Sequence, residues 1–456
     1  MKRLGILAGA MALCMAAQSL PAAALTPVFE EWFEDSSLRL DYEFCGNSDS
    51  QEIFLQDVSR AGEWAGRRER LDELLLEGNG KVELVDPSSG RLLYVNSFSS
   101  LFQEWVATEE ATKVSRAFEN CFYVPFPKSK VLVRITLMDT RRNVKACLEH
   151  EVDPSDILIR TLKDPGHDRK VLHKGGELGS ACDVVILAEG YTSRKAFYRD
   201  ARRAVDALLS HSPFKENADR FNFTAVATIS HESGVSIPHS GIWKDTAFSS
   251  HYDTFYSDRY LTSSSLRRVY DAVGTVPAEH VILLVNTPAY GGGGIYNSLT
   301  IIASGHPTFP KVLVHEFGHA FAGLGDEYAY DDQYEPTYFP DIEPWEPNLT
   351  TLADFSVKWK DMLPEGVTIP TPVDEIEKGN DVRKIWTSLS EGQKASLNLK
   401  LGVYEGAGYM TKGVYRPVQE CRMRINECEE FCPVCSRAIV RMIDYSCTDR
   451  QGRISR

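Results

Sequence analysis

Apolar and polar positions change rhythm partway along this chain, and the change divides it. From residue 25 to 151 apolar side chains recur at every second position, as in 38–44, 81–85, 92–96 and 130–137. Pieces such as Pro87-Ser-Ser-Gly90 separate them. Alternation with a period of two predicts half-buried strands, and turn-rich breaks between short strands predict an antiparallel β-sandwich. Residues 152–180 carry Pro, Gly, His and charge without sustained periodicity and read as a linker. Beyond it come compact apolar runs at 183–188, 221–229 and 280–286, which suit strands buried on both faces. Helical patterns at 196–209 and 264–273 alternate with them. That alternation predicts an α/β layer around a mainly parallel sheet, from 181 to 456. The predicted fold is therefore α+β with two domains.

The first two dozen residues stand apart. Lys2 and Arg3 precede an apolar run at 4–17, and Ala22-Ala23-Ala24 follows. This order predicts a signal peptide over 1–24 and an exported protein, because the apolar run is too short to span a bilayer. No later segment has the length of a membrane span. The formal charge is −14, and no basic block with interleaved aromatics occurs. Nucleic acid is thereby excluded as a partner, and the acidity is read as solubility. Oligomeric state is not legible. Of ten cysteines, Cys14 lies in the leader. The others are Cys45, Cys121, Cys147, Cys182, Cys421, Cys428, Cys432, Cys435 and Cys447, which export makes disulfide candidates, although nine cannot all pair within one chain.

The chemistry concentrates in His315-Glu-Phe-Gly-His319, followed by Gly323, Asp326 and Glu327. Residues four apart share a helix face, so His315 and His319 converge on one ion, and Zn2+ favours imidazole nitrogen. Glu316 projects beside that ion, where a general base for water belongs. An amphipathic helix with structurally satisfied histidines is the bland alternative. Three features weigh against it: the apolar residues flanking the motif, the helix start at Pro310, and the glycine and carboxylate just beyond. Gly323 ends the helix in a left-handed turn and brings Asp326 back as third ligand, with Glu327 in reserve. Glu335, Glu343 or Glu346 would require a second long helix, which Pro336, Pro340, Pro344 and Pro347 oppose. The glycines at 291–294 lack the Lys-Ser/Thr closure of a phosphate loop and read as a mobile or close-approach loop beside an edge strand. Cys432-Pro-Val-Cys435 has the spacing of a redox or zinc-knuckle pair, and disulfides are preferred there.

The run from His315 to Tyr328 resembles the active-site motif of the bacterial IgA-peptidase family of zinc metallopeptidases. Residues 413–417, 421–423 and 431–435 are also similar to that family, as is the β-rich first domain. The resemblance implies a metzincin-like catalytic domain with Met423 in a methionine turn beneath the zinc. Two departures stand out: one extra residue between His319 and Gly323, and Asp where the common pattern has His. It further implies a secreted endopeptidase with Glu316 as base, and for Tyr415 either a hydrogen bond to the tetrahedral intermediate, as a tyrosine makes in some relatives of this class, or a packing role for an aromatic before Arg416-Pro417. The substrate is then a protein or peptide, with immunoglobulin A suggested by the family's name, laid against an edge strand expected at 299–304. Two alternatives stay open. One is a surface protein binding glycan or host protein with a structural metal, and the other is a zinc amidase acting on cell-wall peptides.

Overall fold

The structure is a computed structural model that describes residues 26–329, 337–374, 376 and 381–447. The expected leader, Cys14 and Glu335 lie outside the described residues. In the first domain α1 (Phe29–Trp32) leads into β1 (Phe33–Gly46), followed by β2 (Gln51–Arg60), β3 (Gly80–Val85) and β4 (Leu92–Phe98). Then come α2 (Leu101–Trp105), β5 (Arg116–Pro127), β6 (Val131–Met138) and β7 (Val144–Val152). Two four-stranded sheets result, ordered β4-β3-β6-β7 and β5-β1-β2 with β8 (Arg160–Thr161) at its edge. Leu38, Leu40, Tyr42 and Phe44 alternate inward from β1 and meet Val133, Ile135 and Leu137 of β6 in one core. The sandwich read from periodicity is present. Strands β2, β5 and β7 were missed, since exposed or charged residues interrupt their patterns.

The segment expected to be a linker has structure of its own. Within it β9 (Arg169–Lys174) pairs antiparallel with β11 (Phe221–Val226), at the margin of the second domain's sheet. Its side chains are mostly exposed, so hydrophobic periodicity carried no signal of it. That sheet runs β13-β14-β12-β10-β11-β9, with β10 (Cys182–Glu189), β12 (His280–Val285) and β14 (Leu299–Ala303) parallel to β11. The strand β13 (Gly292–Ile295) is antiparallel at the far edge. This corrects two expectations. The 299–304 run is no edge, because β14 has a partner on each side. The glycines are themselves the edge strand.

Helix α3 (Arg194–Ser210) is capped by Ser193 and buries Phe197, Ala201, Ala204, Val205 and Leu208, one face of a helix. On the other side of the sheet, α4 (Leu266–Val273) packs into a second apolar cluster. Helix α5 (Phe309–Ala322), which carries the histidines, lies on the α3 side and buries Leu313, Val314, Phe317 and Phe321. Further along are α6 (Val382–Ile385), α7 (Glu391–Leu399), the hairpin β15 (Tyr404–Ala407) and β16 (Met410–Arg416), and α8 (Pro433–Ser446). The hairpin and α8 enclose the region beneath α5.

The alternate face of β1, polar in sequence, does not meet water. Arg39 is 2 % exposed. Its Nε donates to Asp41 (2.7 Å) and its NH1 to Asp271 of α4 (2.6 Å). Arg267 of α4 pairs with Glu43 and Glu119, and Tyr123 of β5 packs edge-on against Tyr270. The two domains therefore join through a polar strand face and a helix.

Candidate active site

Helix α5 starts at Phe309 with Pro310, whose fixed φ suits a first turn, next in line, and stops at Gly323 (φ 60°, ψ 29°), where the absence of Cβ permits the left-handed turn. Between these ends the His315 and His319 rings stand 4.7 Å apart and nearly perpendicular, with their Nε2 atoms 3.0 Å apart. The chain turns back after Gly323 and places Asp326 Oδ1 3.1 Å from His315 Nε2 and 3.2 Å from His319 Nε2. Around zinc with bonds of about 2.0–2.1 Å, a tetrahedral edge is ~3.3 Å, so the three donor atoms fit one ion. Asp326 Oδ1 is buried and meets only the two imidazole nitrogens, so a cation between the three would satisfy it.

The outer contacts aim these donors. His315 Nδ1 lies 3.1 Å from Arg422 O, and His319 Nδ1 lies 2.5 Å from Leu324 O. A ring that donates from Nδ1 to a carbonyl keeps the Nε2 lone pair free for a metal. Asp326 Oδ2 accepts from Tyr409 OH (2.5 Å), while Tyr328 lies parallel to His315 with ring centres 6.5 Å apart. The imidazole and carboxylate charges attract one another. Burial disfavours both, yet the His319–Asp326 attraction prevails, pushing His319 up to about 9 and holding Asp326 well below the usual carboxylate range.

Glu316 takes its place beside the pair, with a carboxylate oxygen within 4.8 Å of the ring nitrogens. Burial pushes its carboxyl up, against the pull of His315 and His319. The glycines explain how it fits. A Cβ on Gly292 would sit 3.1 Å from Glu316 Oε1, and one on Gly294 would sit 2.2 Å from the Glu316 carbonyl oxygen. Only a strand without side chains can lie this close to α5. Beneath the helix, Met423 Sδ would be 3.2 Å from a Cβ on Gly318, and the Met423 side chain is fully buried in the turn after Cys421.

Two candidates lie elsewhere. Glu327 turns away from the histidines: Oε1 accepts from Asn348 Nδ2 (2.8 Å) and lies 3.1 Å from Cys435 Sγ. Neighbours on this non-helical stretch point in opposite directions, so Asp326 and Glu327 cannot both face one ion. Tyr415, on β16, forms backbone bonds with Thr350, and the charges acting on its phenol are Glu405 and Lys412. Among the described residues it shows no contact with His315, His319 or Asp326. Glu343 and Glu346 are engaged by Asp354 N and Tyr338 OH.

Three contributors escaped sequence reading. Tyr409 holds the Asp326 carboxylate, with no motif to announce it. Asn348 brackets Gly325 through both amide atoms and so fixes the returning segment. Glu104, on α2 of the first domain, accepts from Tyr260 OH (2.5 Å), and the Tyr260 ring lies against Gly293. Glu104 is exposed, and the nearby charges of Asp326 and Glu316 raise its carboxyl, against its Tyr260 hydrogen bond and His319. The first domain therefore brings a carboxylate to the edge-strand side of the centre.

A family model described as IgA Peptidase M64 matches residues 171–443, more than half of the chain, and one described as Peptidase M64 N-terminus matches residues 28–149. No curated protein matches the chain. The first match begins inside β9, in keeping with that strand's place in the second domain's sheet.

Proposed function

The chain belongs to the IgA peptidase M64 family, and from that premise we propose that it is an exported zinc endopeptidase with its centre at His315, His319 and Asp326. The observation that carries the reading is the convergence of two Nε2 atoms and one buried carboxylate oxygen, with Glu316 beside them. The residues present suit zinc, and a metzincin-like arrangement is supported by the turn that seats Met423 under α5. A zinc ion held there supplies Lewis acidity, polarising a carbonyl and making water a competent nucleophile near neutral pH.

The rest is work for the protein's own groups. The substrate strand runs along β13, where Tyr260 bridges Gly292, and the remaining backbone groups of β13 align the scissile carbonyl over the centre. Glu316 takes a proton from the attacking water, and the buried setting that raises its pKa suits a base that must later release it. The carbon–oxygen bond forms first, giving a tetrahedral intermediate, and Glu316 then delivers the proton to the amine nitrogen as the carbon–nitrogen bond breaks. Tyr415 retains a proposed role as hydrogen-bond donor to the developing oxyanion. Glu104 and Tyr260 line the approach along β13 and favour a substrate residue carrying positive charge. No helix among the described residues is long and apolar enough to cross a membrane.

The test is Glu316→Gln in the full chain, assayed on protein substrates including immunoglobulin A and on peptidoglycan, with zinc content measured alongside. Hydrolysis is expected to fall ~10²–10⁴-fold with zinc retained. Cleavage of protein at the normal rate would overturn the mechanism. Cleavage confined to peptidoglycan would reassign the enzyme as an amidase, and inertness of the native zinc-loaded chain on all substrates would favour a binding protein.

A further inference from the structure

Beneath the returning segment lies a second convergence of ligand-type groups, separate from the histidines. Glu327, Cys421, Cys432 and Cys435 are all buried, and their donor atoms lie within 4.8 Å of one another. Cys435 Sγ is 3.1 Å from Glu327 Oε1 and 3.9 Å from Cys421 Sγ. For zinc with bonds to sulfur of about 2.3 Å, a tetrahedral S–S edge is ~3.8 Å. The four come from three places in the chain: the stretch after α5, the Met423 turn, and the N-terminus of α8.

We propose that Glu327, Cys421, Cys432 and Cys435 form a second, structural zinc site that ties the Asp326 segment to the Met423 turn and to α8.

Three observations support a metal over simple packing or a disulfide. Glu327 is 0 % exposed, and its Oε2 accepts no hydrogen bond. A buried carboxylate oxygen left unsatisfied is costly, and a cation is what would satisfy it. Backbone amides also point at the sulfurs: Cys432 N approaches Cys421 Sγ (3.3 Å), and Cys435 N approaches Cys432 Sγ (3.5 Å). Amide donors to sulfur stabilise the thiolate form that metals require. Finally, the sulfurs number three. A disulfide between any two leaves the third thiol facing the unsatisfied carboxylate, whereas one ion engages all four groups. Each ligating thiol releases its proton to solvent on binding, and no oxidation is involved.

The site bears on the catalytic centre through the backbone. Glu327 N donates to Met423 O (2.9 Å), and Arg422 O, next to Cys421, holds His315 Nδ1. Fixing Glu327 and Cys421 therefore fixes the third ligand's segment and the carbonyl that orients His315.

The experiment counts metal in the full chain. The native protein is expected to hold two zinc ions, the double variant His315→Ala/His319→Ala one, and Cys432→Ser/Cys435→Ser one. Cobalt exchanged into the histidine double variant should show thiolate-to-metal charge-transfer absorption, a reading that does not require the cysteine variant to fold. One zinc in the native chain and none in the histidine double variant would overturn the proposal. So would peptide mapping that finds two of Cys421, Cys432 and Cys435 joined in a disulfide. Because the histidine double variant isolates the second ion, failure here is distinguishable from failure of the peptidase assignment.

Discussion

Tyr409 sits in a left-handed backbone position (φ 65°) at the turn of the β15–β16 hairpin and aims its hydroxyl at Asp326. Its backbone amide also binds Tyr328 O, and Gly408 N binds Asp326 O, so the hairpin tip holds the third-ligand segment from two directions. Tyr409→Phe is expected to weaken zinc affinity ~10–100-fold, as losses of ligand-orienting partners do. Chelator competition at fixed pH measures it, and unchanged affinity would remove Tyr409 from the site. Tyr415 separates from it in the same assays. A donor to the oxyanion predicts that Tyr415→Phe lowers kcat with zinc affinity untouched, and full kcat would remove it from the mechanism. At this scale the two histidines and Glu316 were legible because helical spacing fixes which side chains share a face. Asp326 was legible from the glycine stop. Tyr409 and Asn348 were not, since their partners lie 83 and 23 residues away.

Helix α5 is placed by what it packs against on two sides. Toward β13 the contact depends on glycine, and Gly294→Ala would drive a methyl into the helix backbone. Displacing the edge strand by about 1 Å should lower kcat/KM on the order of 100-fold, while circular dichroism stays native. Normal turnover in a folded Gly294→Ala protein would show that β13 does not align the substrate. On the sheet side, His280 of β12 lies near Phe317 and Phe321, with ring centres 6.1 and 5.0 Å away. Burial pushes this imidazole down to about 4. A depressed folded pKa means that its contribution is present above the unfolded value, about 6.5, and is lost as pH falls toward 4. Urea titrations of native protein should lose stability over that window, and His280→Gln should flatten the loss; equal slopes in both would refute the assignment. The helix itself was readable from periodicity and its two end signals. The glycine strand was not, because glycine carries no strand preference and its pairing partners, β14 and Tyr260, are set by the fold.

The domains meet across a surface that alternation alone assigns to solvent. Arg39 and Asp41 lie on the polar positions of β1, yet the first is 2 % and the second 4 % exposed. Removing one member of a buried pair strands the other, so Arg39→Ala should destabilise the whole chain by about 3 kcal/mol, measured by urea unfolding. The double variant Arg39→Ala/Asp41→Ala should lose less than the sum of the two single variants, and a loss equal to that sum would show that the pair is not coupled. This docking also carries Glu104 to the catalytic side, giving the first domain a share in the approach to the centre. Glu104→Gln is expected to raise KM for substrates with a cationic residue and to leave kcat near its native value. The α+β division, the helix bearing His315, Glu316 and His319, and the glycine stop that returns Asp326 were all readable from the order of residues. All of these follow from local periodicity and backbone preference, which act within a few residues. The packed fold alone settles which strand is the edge, which way Glu327 faces, which tyrosine reaches Asp326, and that β1 is buried on both sides. These depend on pairing and packing between segments far apart in the chain, where a residue's neighbours are set by the fold and not by its place in the sequence.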